Sequence, residues 1–504
     1  MTDTFARDHL PPREQWPVLL EMDYPPELNA ASELLSGWDE RPCVLAEETW
    51  TYAELAERAG AIARTLVEEH GLEPGNRVLL HGFNTPELIA SWFGVLLAGG
   101  VAVATMPMLR AGELTKVIAK AQVSHALVDA RLAGEVHGVR ELRTLDDLPA
   151  RGAFEPVATS RDDVALIAFT SGTTGEPKGC VHFHRDVLAI CDTFARNILD
   201  PSPDDVFTGT APVAFTFGLG VLVLFPMRFG ASFAPIAKPG LEPLVETVNR
   251  HGVTTLATAP TMYRALLRAD PELGSLRACI SAGEPLPAGV ARAWHERTGI
   301  RIVDGIGSTE MLHIFIAARA ENTKFGSVGT PVPGYEARVV DEHMRPLPAG
   351  KVGRLAVRGP TGCRYLDDPR QTEYVVDGWN VTGDSFRVDE DGYFWFEARN
   401  DDLIVSSGYN ISPFEVETAL LEHDAVAECA VVAAPDADRG HVVKAFVVLA
   451  EGVAGGDELV DELQAHVKER IAPYKYPRRV EFLDALPRTP TGKVQRSELR
   501  RWEA

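Results

Sequence analysis

Residues 77–105 read RVLLHGFNTPELIASWFGVLLAGGVAVAT, and this stretch decides the fold class. Its pattern predicts a strand at Arg77–His81, a helix at Pro86–Leu97 and a second strand at Val101–Thr105. This strand–helix–strand order is typical of an α/β protein with a mostly parallel sheet and helices on its faces. Similar strand-like runs extend the pattern along the chain, at Ala126–Val128, Ala165–Thr170, Thr254–Thr258 and Ala278–Ser281.

The pattern of apolar and polar residues changes from about Pro331. Short alternating segments such as Tyr335–Val340 and Gly353–Arg358 predict a strand-rich, antiparallel subdomain. After Arg399 the pattern becomes a compact α+β unit, so we predict a domain boundary at Asn400–Leu403. Within that unit we expect helices at Val416–Leu421 and Glu458–Ile471 and strands at Ala427–Ala433 and Ala445–Leu449.

The composition limits the classes of partner. The chain has 504 residues, 45% of them hydrophobic, and a formal net charge of −23. Such acidity argues against a nucleic-acid partner and against binding to anionic membranes. The amino-terminal stretch lacks the apolar segment of a signal peptide, and no apolar run is long enough for a bilayer. The six cysteines are scattered without metal-ligand spacing, so we expect reduced thiols in a cytoplasmic enzyme.

A candidate phosphate-binding loop follows the strand-like run LIAF. Thr170–Gly179 reads TSGTTGEPKG. Glycines let the backbone approach a ligand closely, while hydroxyl and N–H groups bind phosphate oxygens and Lys178 supplies positive charge. The spacing does not match the GxxxxGK[ST] loop, because Lys178 is followed by Gly179. A flexible surface loop is the alternative that these residues leave open.

This loop resembles the signature of the acyl-adenylate-forming superfamily, which includes acyl-CoA ligases, adenylation domains and luciferases. Matching motifs recur in the family's order over nearly the whole chain: SAGEPL at Ser281–Leu286, DGIGSTE at Asp304–Glu310, TGD at Thr382–Asp384 and PRTPTGKVQR at Pro487–Arg496. The resemblance implies an acyl-CoA synthetase-like fold, with a large domain over residues 1–399, a hinge at 400–403 and a small mobile domain over 404–504. It also implies ATP, Mg²⁺ and coenzyme A as cofactors.

The resemblance assigns roles around the nucleotide. Glu310 would hold Mg²⁺, a hard cation that prefers carboxylate oxygens. Thr309 would contact phosphate, Asp384 would accept hydrogen bonds from the ribose hydroxyls, and Arg399 would reach ribose or phosphate. Many members carry Tyr at the position of Ile306, so apolar contact must replace stacking on adenine. The full cofactor-binding set is Thr170, Ser171, Gly172, Thr173, Gly175, Lys178, Gly283, Glu284, Pro285, Asp304, Gly305, Ile306, Thr309, Asp384 and Arg399, with Gly408 leaving room for the pantetheine arm of CoA.

Three residues are assigned to catalysis by the same resemblance: Lys493, Glu310 and Thr174. Lys493 lies on a loop punctuated by Pro and Gly and corresponds to the lysine that enters the active site for adenylation. Attack of a carboxylate on the α-phosphate builds negative charge, which a positioned ammonium stabilises. Asp401 would be the hinge residue, in the segment RNDDLIVSSGYN. The lysine would then be present for the first step and withdrawn to admit CoA for the second.

The segments PVAFTFGLG and EMLHIF resemble the benzoate–CoA ligase branch. The runs AFTFGLG, AGEPLP and GPTGCRYLDDPRQ resemble 2-aminobenzoate–CoA ligases in particular. Flat apolar walls suit an aryl ring. His313 would hydrogen-bond or screen the substrate carboxylate, and Thr216 is the candidate partner of an ortho amino group. The implied substrate-binding set is Phe215, Thr216, Phe217, Gly307, His313 and Ile314.

These motifs predict a ligase that converts a small aromatic carboxylate and ATP into an aryl-adenylate and then into an aryl-CoA. We expect 2-aminobenzoate as the first substrate and benzoate as the next. An aryl-adenylating enzyme that loads a carrier protein shares every motif and is the alternative. A catalytically inactive nucleotide-binding scaffold is disfavoured because Lys493 and Glu310 are retained. The sequence leaves the assembly open, a homodimer included.

Overall fold

The computed structural model describes residues 1–170, 176–399, 402–406, 409–436, 440–489 and 493–503, and its architecture is α/β, as predicted. The stretch at 77–105 forms the expected unit: strands Arg77–His81 and Val101–Thr105 pair in parallel, with helix Pro86–Leu97 between them. The Thr85 side chain caps this helix by accepting from the N–H of Leu88, and Pro86 occupies its first turn. Both features favour a helix start at this point.

A six-stranded sheet is built around this unit. It is parallel except at one edge, where the last two strands form an antiparallel pair. In spatial order its strands are Glu141–Thr144, Val123–Val128, Arg77–His81, Val101–Thr105, Val164–Thr170 and Lys178–Phe183.

A nine-stranded sheet forms the second half of the large domain. Its middle strands are parallel, and antiparallel pairs occur only toward its edges. In spatial order the strands are Thr330–Pro331, Ile314–Ala317, Ile302–Gly307, Ala278–Ser281, Thr255–Thr258, Val206–Gly209, Ser232–Phe233, Pro42–Leu45 and Thr49–Thr51.

The two sheets share one apolar core. Buried side chains from both, such as Leu80 and Phe207, belong to the same cluster as Phe93 and Phe194 from the helices. Burial of this kind stabilises the fold by about 25 cal/mol for each Å² of apolar surface removed from water. The longer helices of the large domain are Tyr52–Arg64, Pro86–Leu97, Ala111–Ala121, His184–Ile190, Leu241–His251, Pro260–Ala269 and Ala288–Thr298.

The strand-rich subdomain expected after Pro331 is a five-stranded antiparallel sheet. It ends at Arg399, directly before the predicted hinge. Its strands are Glu336–Val340, Gly353–Arg358, Val375–Val376, Trp379–Val388 and Phe394–Arg399.

The carboxyl-terminal unit is α+β, as predicted. Its first helix and the two expected strands are longer than the sequence pattern suggested, whereas the second helix has the predicted length and is shifted by one residue. The first main helix begins at Pro413, because the Ser412 side chain accepts from the N–H of Glu415 and a proline occupies the first turn. The hinge at residues 400–403 and the mobility of this unit stay predictions. Its elements are strands Ile404–Ser406, Tyr409–Ile411, Val426–Asp436, Gly440–Leu449 and Arg479–Phe482 and helices Pro413–Leu420, Asp457–Arg470 and Arg496–Trp502.

All six cysteines are buried free thiols, in agreement with their scattered spacing. Within the ranges given above, the structure contains no helix with the length and apolar character needed to cross a bilayer.

Candidate active site

Three of the predicted motifs lie at the carboxyl ends of strands of the two sheets. Thr170 is the last residue of a strand in the six-stranded sheet, and Ser281 and Gly307 end two strands of the nine-stranded sheet. Those two strands are parallel neighbours, with Ser281 opposite Asp304. Ligands of α/β proteins bind at the carboxyl ends of parallel strands. The topology therefore places these motifs where a ligand site is expected.

Two side-chain hydrogen bonds link Lys178, the lysine of the candidate phosphate-binding loop, to Glu310, the carboxylate that we expect to hold Mg²⁺. Lys178 Nζ donates to the Tyr365 hydroxyl at 3.2 Å, and that hydroxyl donates to Glu310 Oε1 at 2.5 Å. Tyr365 is fully buried. Burial and the charge of Glu310 raise the pKa of Tyr365, so the phenol keeps its proton and remains a donor.

A buried network holds the backbone of the DGIGSTE segment. His182 Nε2 lies 2.8 Å from the Thr309 carbonyl oxygen, and His182 and Asp186 both lie in the core with no exposed surface. Arg364 donates to Asp186 at 2.8 Å. Burial alone would raise the pKa of Asp186, but the Arg364 charge and hydrogen bonds lower it to about 2. The buried carboxylate is therefore ionised and paired, which makes this network costly to break.

Asp304 holds the end of the SAGEPL segment through a backbone hydrogen bond from Leu286. The backbone N–H groups of Leu286 and Gly305 donate to its carboxylate, yet burial raises the pKa of Asp304 to about 7. Gly283 adopts φ of +91°, and no atom lies within 4 Å of the position that a Cβ would take there. The SAGEPL segment is thus held at Leu286 and leaves space beside Gly283. Glu284 is half-buried, and burial raises its pKa.

The predicted ribose residues face one another across two antiparallel strands. Asp384 pairs in register with Arg399, and the Asp384 carboxylate lies 3.8 Å from the Arg399 guanidinium. Burial raises the pKa of Asp384, while the Arg399 and Lys493 charges oppose that rise. This arrangement offers a carboxylate acceptor beside a cation, as the ribose–phosphate assignment requires.

Lys493 belongs to the small unit and faces these residues of the large domain, and the space between the two is called the cleft below. Its ammonium is 5.5 Å from the ring centroid of Phe215. Desolvation by the surrounding protein lowers the pKa of Lys493, the Arg399 charge adds to that effect, and Glu284 and Asp384 act against it. The residue nevertheless retains solvent-accessible surface. The small unit thus presents Lys493 to the predicted nucleotide site in this structure.

Three phenylalanines, Phe194, Phe217 and Phe225, form an aromatic box around His313, and Phe217 is the one that belongs to the predicted aryl set. The imidazole lies 4.6 Å from the Phe225 ring and 5.8 Å from the Phe217 ring, and Nε2 is 3.4 Å from the Phe217 carbonyl oxygen. Burial lowers the pKa of His313 to about 3, so its ring is neutral at neutral pH. His313 can therefore hydrogen-bond a substrate but cannot screen it as a cation. Thr216 is buried at the start of a short helix, and Phe215 is half-buried.

Glycines permit the close approach of strands at this box. A Cβ on Gly307 would lie 2.6 Å from the His313 carbonyl oxygen, and a Cβ on Gly305 would lie 2.8 Å from Ile314. A Cβ on Gly220 would lie 2.3 Å from the His313 ring. The first clash is with backbone, so Gly307 is required by the fold itself. Ile306, between the two strand glycines, is half-buried.

Seven predicted site residues lie outside the described ranges: Ser171, Gly172, Thr173, Thr174, Gly175, Asp401 and Gly408. The sequence reasoning missed Phe194 and Phe225 beside His313. It also missed two tyrosines that contact the DGIGSTE segment, Tyr365 and Tyr374. Both lie in the segment 363–374, which is remote in sequence from the motifs they touch. The available signal was the run GPTGCRYLDDPRQ at residues 359–371, which contains Tyr365.

The donor set around Glu310 fits an ion that is shared with phosphate. In the described part of the chain, no group of three or more His, Cys, Asp or Glu side chains is arranged to hold a metal. Mg²⁺ in nucleotide sites uses one or two carboxylates together with substrate phosphates and water. Glu310 is a buried carboxylate connected to Lys178 through the Tyr365 hydroxyl, and it matches this pattern of one carboxylate with phosphates and water.

Known proteins share this architecture. Residues 34–364 match the family described as AMP-binding enzyme, and residues 415–493 match its carboxyl-terminal domain. The chain is 38% identical to a benzoate–CoA ligase from Thauera aromatica, over 90% of each chain.

Solved structures agree with the sequence relatives. One is the anthranilate CoA ligase AuaEII in complex with anthranoyl-AMP, at a TM-score of 0.91 and 32% identity, covering 95% of this chain and 98% of that one. A second is a benzoate CoA ligase from Burkholderia xenovorans LB400, at a TM-score of 0.86 and 32% identity, covering 94% and 100%. The chain therefore belongs to the AMP-binding enzyme family, and its predicted resemblance to the benzoate–CoA ligase branch of the acyl-adenylate-forming enzymes is confirmed.

Proposed function

We propose that the protein is an ATP-dependent aryl-CoA ligase that uses Mg²⁺ and releases AMP and pyrophosphate. One observation carries the proposal: the ammonium of Lys493, from the small unit, lies 5.5 Å from the Phe215 ring of the large domain, where the charges of Asp384 and Glu310 act on it. That arrangement suits attack of a carboxylate on the α-phosphorus. The benzoate–CoA ligase and the anthranoyl-AMP complex among its relatives support an aryl acid as the substrate.

The first step joins a carboxylate oxygen of the aryl acid to the α-phosphorus of ATP and breaks the bond to pyrophosphate. Lys493 stabilises the charge that develops on the α-phosphate oxygens. Lys178 binds the outer phosphates, and Asp384 accepts from the ribose hydroxyls. Mg²⁺, held by Glu310, would supply further charge neutralisation on the phosphates. Ile306 and the SAGEPL segment flank the adenine.

In the second step the CoA thiolate forms a bond to the acyl carbon, and AMP leaves with the oxygen that had joined it to the acyl group. The thiol proton passes to water. Movement of residues 404–504 about Asp401 would remove Lys493 from the cleft and admit the pantetheine arm past Gly408. No enzyme nucleophile is required, since AMP is already a good leaving group.

Among aryl acids we propose 2-aminobenzoate as the preferred substrate. If His313 Nε2 donates to the Phe217 carbonyl oxygen, then Nδ1 is an acceptor. Nδ1 is buried and has no hydrogen-bond partner among the described residues. An ortho amino group can donate to such an acceptor, whereas benzoate leaves it unsatisfied at a cost of about 1–3 kcal/mol. His313 thus joins Thr216 as a candidate partner of the amino group.

AMP release in the presence of CoA, measured across a panel of benzoates, tests both the aryl-CoA ligase activity and the preference for 2-aminobenzoate. We expect 2-aminobenzoyl-CoA by mass, and a kcat/KM for 2-aminobenzoate at least about fivefold above that for benzoate, which corresponds to the lower end of the unsatisfied-acceptor cost. The 4-amino isomer is the matched control, because it has the same groups at another position. No AMP release with any aryl acid would reject the ligase; equal kcat/KM for 2-aminobenzoate and benzoate would reject only the amino-group preference.

Phe217→Ala should weaken binding of the aryl acid by about tenfold or more, since a buried aromatic wall is removed. Phe217 is 8% exposed and packs on His313. Binding of ATP should change by less than about twofold on the same argument. Calorimetry with each ligand separates the two constants. If both constants rise together, Phe217 has a structural role rather than a role in the pocket.

A further inference from the structure

Two tyrosines of the strand-rich subdomain meet the end of the DGIGSTE segment. Tyr365 donates its hydroxyl to Glu310 Oε1 at 2.5 Å. The Tyr374 hydroxyl lies 3.2 Å from Ser308 Oγ. The two tyrosine rings pack edge to face with their centroids 5.8 Å apart. Neither tyrosine is among the predicted site residues, yet together they contact two of the last three residues of the DGIGSTE segment.

We propose that Tyr365 and Tyr374 are positioning residues that fix the Ser308–Glu310 segment, and that Tyr365 sets the orientation of the Glu310 carboxylate for metal–nucleotide binding. The proposal rests on the function proposed above.

The direction of the hydrogen bonds gives Tyr365 a defined effect. An ammonium has no acceptor, so Lys178 donates to the phenol oxygen, and the single phenol proton goes to Glu310. One carboxylate oxygen is thereby held in place. Partners of this kind orient a ligating carboxylate before the ion arrives, and their removal typically weakens metal affinity 10- to 100-fold.

The backbone beneath Tyr365 is itself held in place. Gln371 Oε1 accepts from the Tyr365 N–H at 2.9 Å. Gln371 Nε2 donates to the carbonyl oxygens of Gln15 at 2.9 Å and of Cys363 at 3.2 Å. Tyr365 is therefore attached to a bonded segment of the subdomain rather than to a free loop, and it can transmit that rigidity to Glu310.

Tyr365→Phe removes only the hydroxyl and tests the proposal. In pyrophosphate–ATP exchange with an aryl acid, the Mg²⁺ concentration for half-maximal rate should rise about tenfold, as for other partners of metal ligands. At saturating Mg²⁺ the rate should recover to within about threefold of the wild-type rate on the same basis. Binding of Mn²⁺ with a non-hydrolysable ATP analogue, followed by electron paramagnetic resonance, should weaken by a similar factor without any turnover.

The control is Tyr52→Phe. Tyr52 is fully buried, and its hydroxyl donates to the carbonyl oxygens of Ala231 at 2.7 Å and Pro226 at 3.2 Å, so the same chemical loss occurs outside the motif. This variant should keep the wild-type Mg²⁺ dependence. Tyr374→Phe is a second variant, and we expect about a threefold rise in the Mg²⁺ requirement, the loss of one ordinary hydrogen bond.

Three outcomes separate the claims. If Tyr365→Phe lowers the exchange rate by the same factor at every Mg²⁺ concentration and leaves Mn²⁺ binding unchanged, the positioning role is overturned. If Tyr365→Phe does not fold, an unaltered Mg²⁺ dependence in Tyr374→Phe overturns it instead. If the wild-type protein shows no exchange with aryl acids, the proposed function fails, whereas the Mn²⁺–nucleotide measurement still decides the role of the two tyrosines.

Discussion

Lys493→Ala should reduce adenylation of an aryl acid at least about 100-fold, the usual effect of removing a group that stabilises transition-state charge. Thioester formation from supplied aryl-adenylate and CoA should stay within about threefold of the wild-type rate, because the lysine is expected to leave the cleft for that step. Pyrophosphate exchange measures the first half-reaction, and CoA-thioester formation from synthetic 2-aminobenzoyl-AMP measures the second.

The matched control is Lys468→Ala, which removes an ammonium from the same small unit. Lys468 Nζ lies 4.0 Å from the Tyr476 ring centroid, on helix Asp457–Arg470. Both half-reactions should be retained in this variant. Equal loss of the two half-reactions in Lys493→Ala would contradict the role assigned to Lys493.

Asp304→Asn should stabilise the ligand-free protein by about 4 kcal/mol at pH 8 and by roughly half of that at pH 5. The pKa of Asp304 rises from 3.8 to about 7 because the carboxyl is buried. Since the folded-state pKa is raised, the stability that the protonated carboxyl contributes is complete below pH 3.8 and is lost as the pH rises to about 7. Asparagine keeps an acceptor for the N–H groups of Leu286 and Gly305 and does not titrate.

Thermal midpoints of the variant and the wild-type protein at the two pH values check this expectation. The exposed Asp424 provides a control in Asp424→Asn, which should show no comparable pH-dependent gain. A gain of equal size at pH 5 and pH 8 would show that the Asp304 substitution acts through packing rather than through titration.

The sequence predicted the elements whose signals are local. Helix Pro86–Leu97 has the predicted bounds because apolar spacing, an N-terminal threonine and a proline agree with one another. In the small unit the helix start at Pro413 was missed by three residues, since the cap at Ser412 was not recognised. The strand Val426–Asp436 continues past the expected end through Pro435, which pairs with His441.

Features that depend on tertiary contacts could not be predicted. Glu310 and Tyr365 are 55 residues apart in sequence, and no spacing rule connects them. The sequence indicated that His313 borders the aryl site, but its neutral state follows from burial among three phenylalanines, which the order of residues does not reveal. The raised pKa of Asp304 has the same origin.

The burial of every cysteine has a consequence for an enzyme whose proposed co-substrate is itself a thiol. Burial raises the pKa of Cys180, Cys191, Cys363 and Cys429 well above the ordinary value and raises that of Cys279 to about 12. A thiol that is inaccessible and protonated neither attacks a disulfide nor accepts one. Oxidised coenzyme A therefore has no sulfur on the folded protein with which to form a mixed disulfide, and the catalyst can persist while its thiol substrate cycles between reduced and oxidised forms.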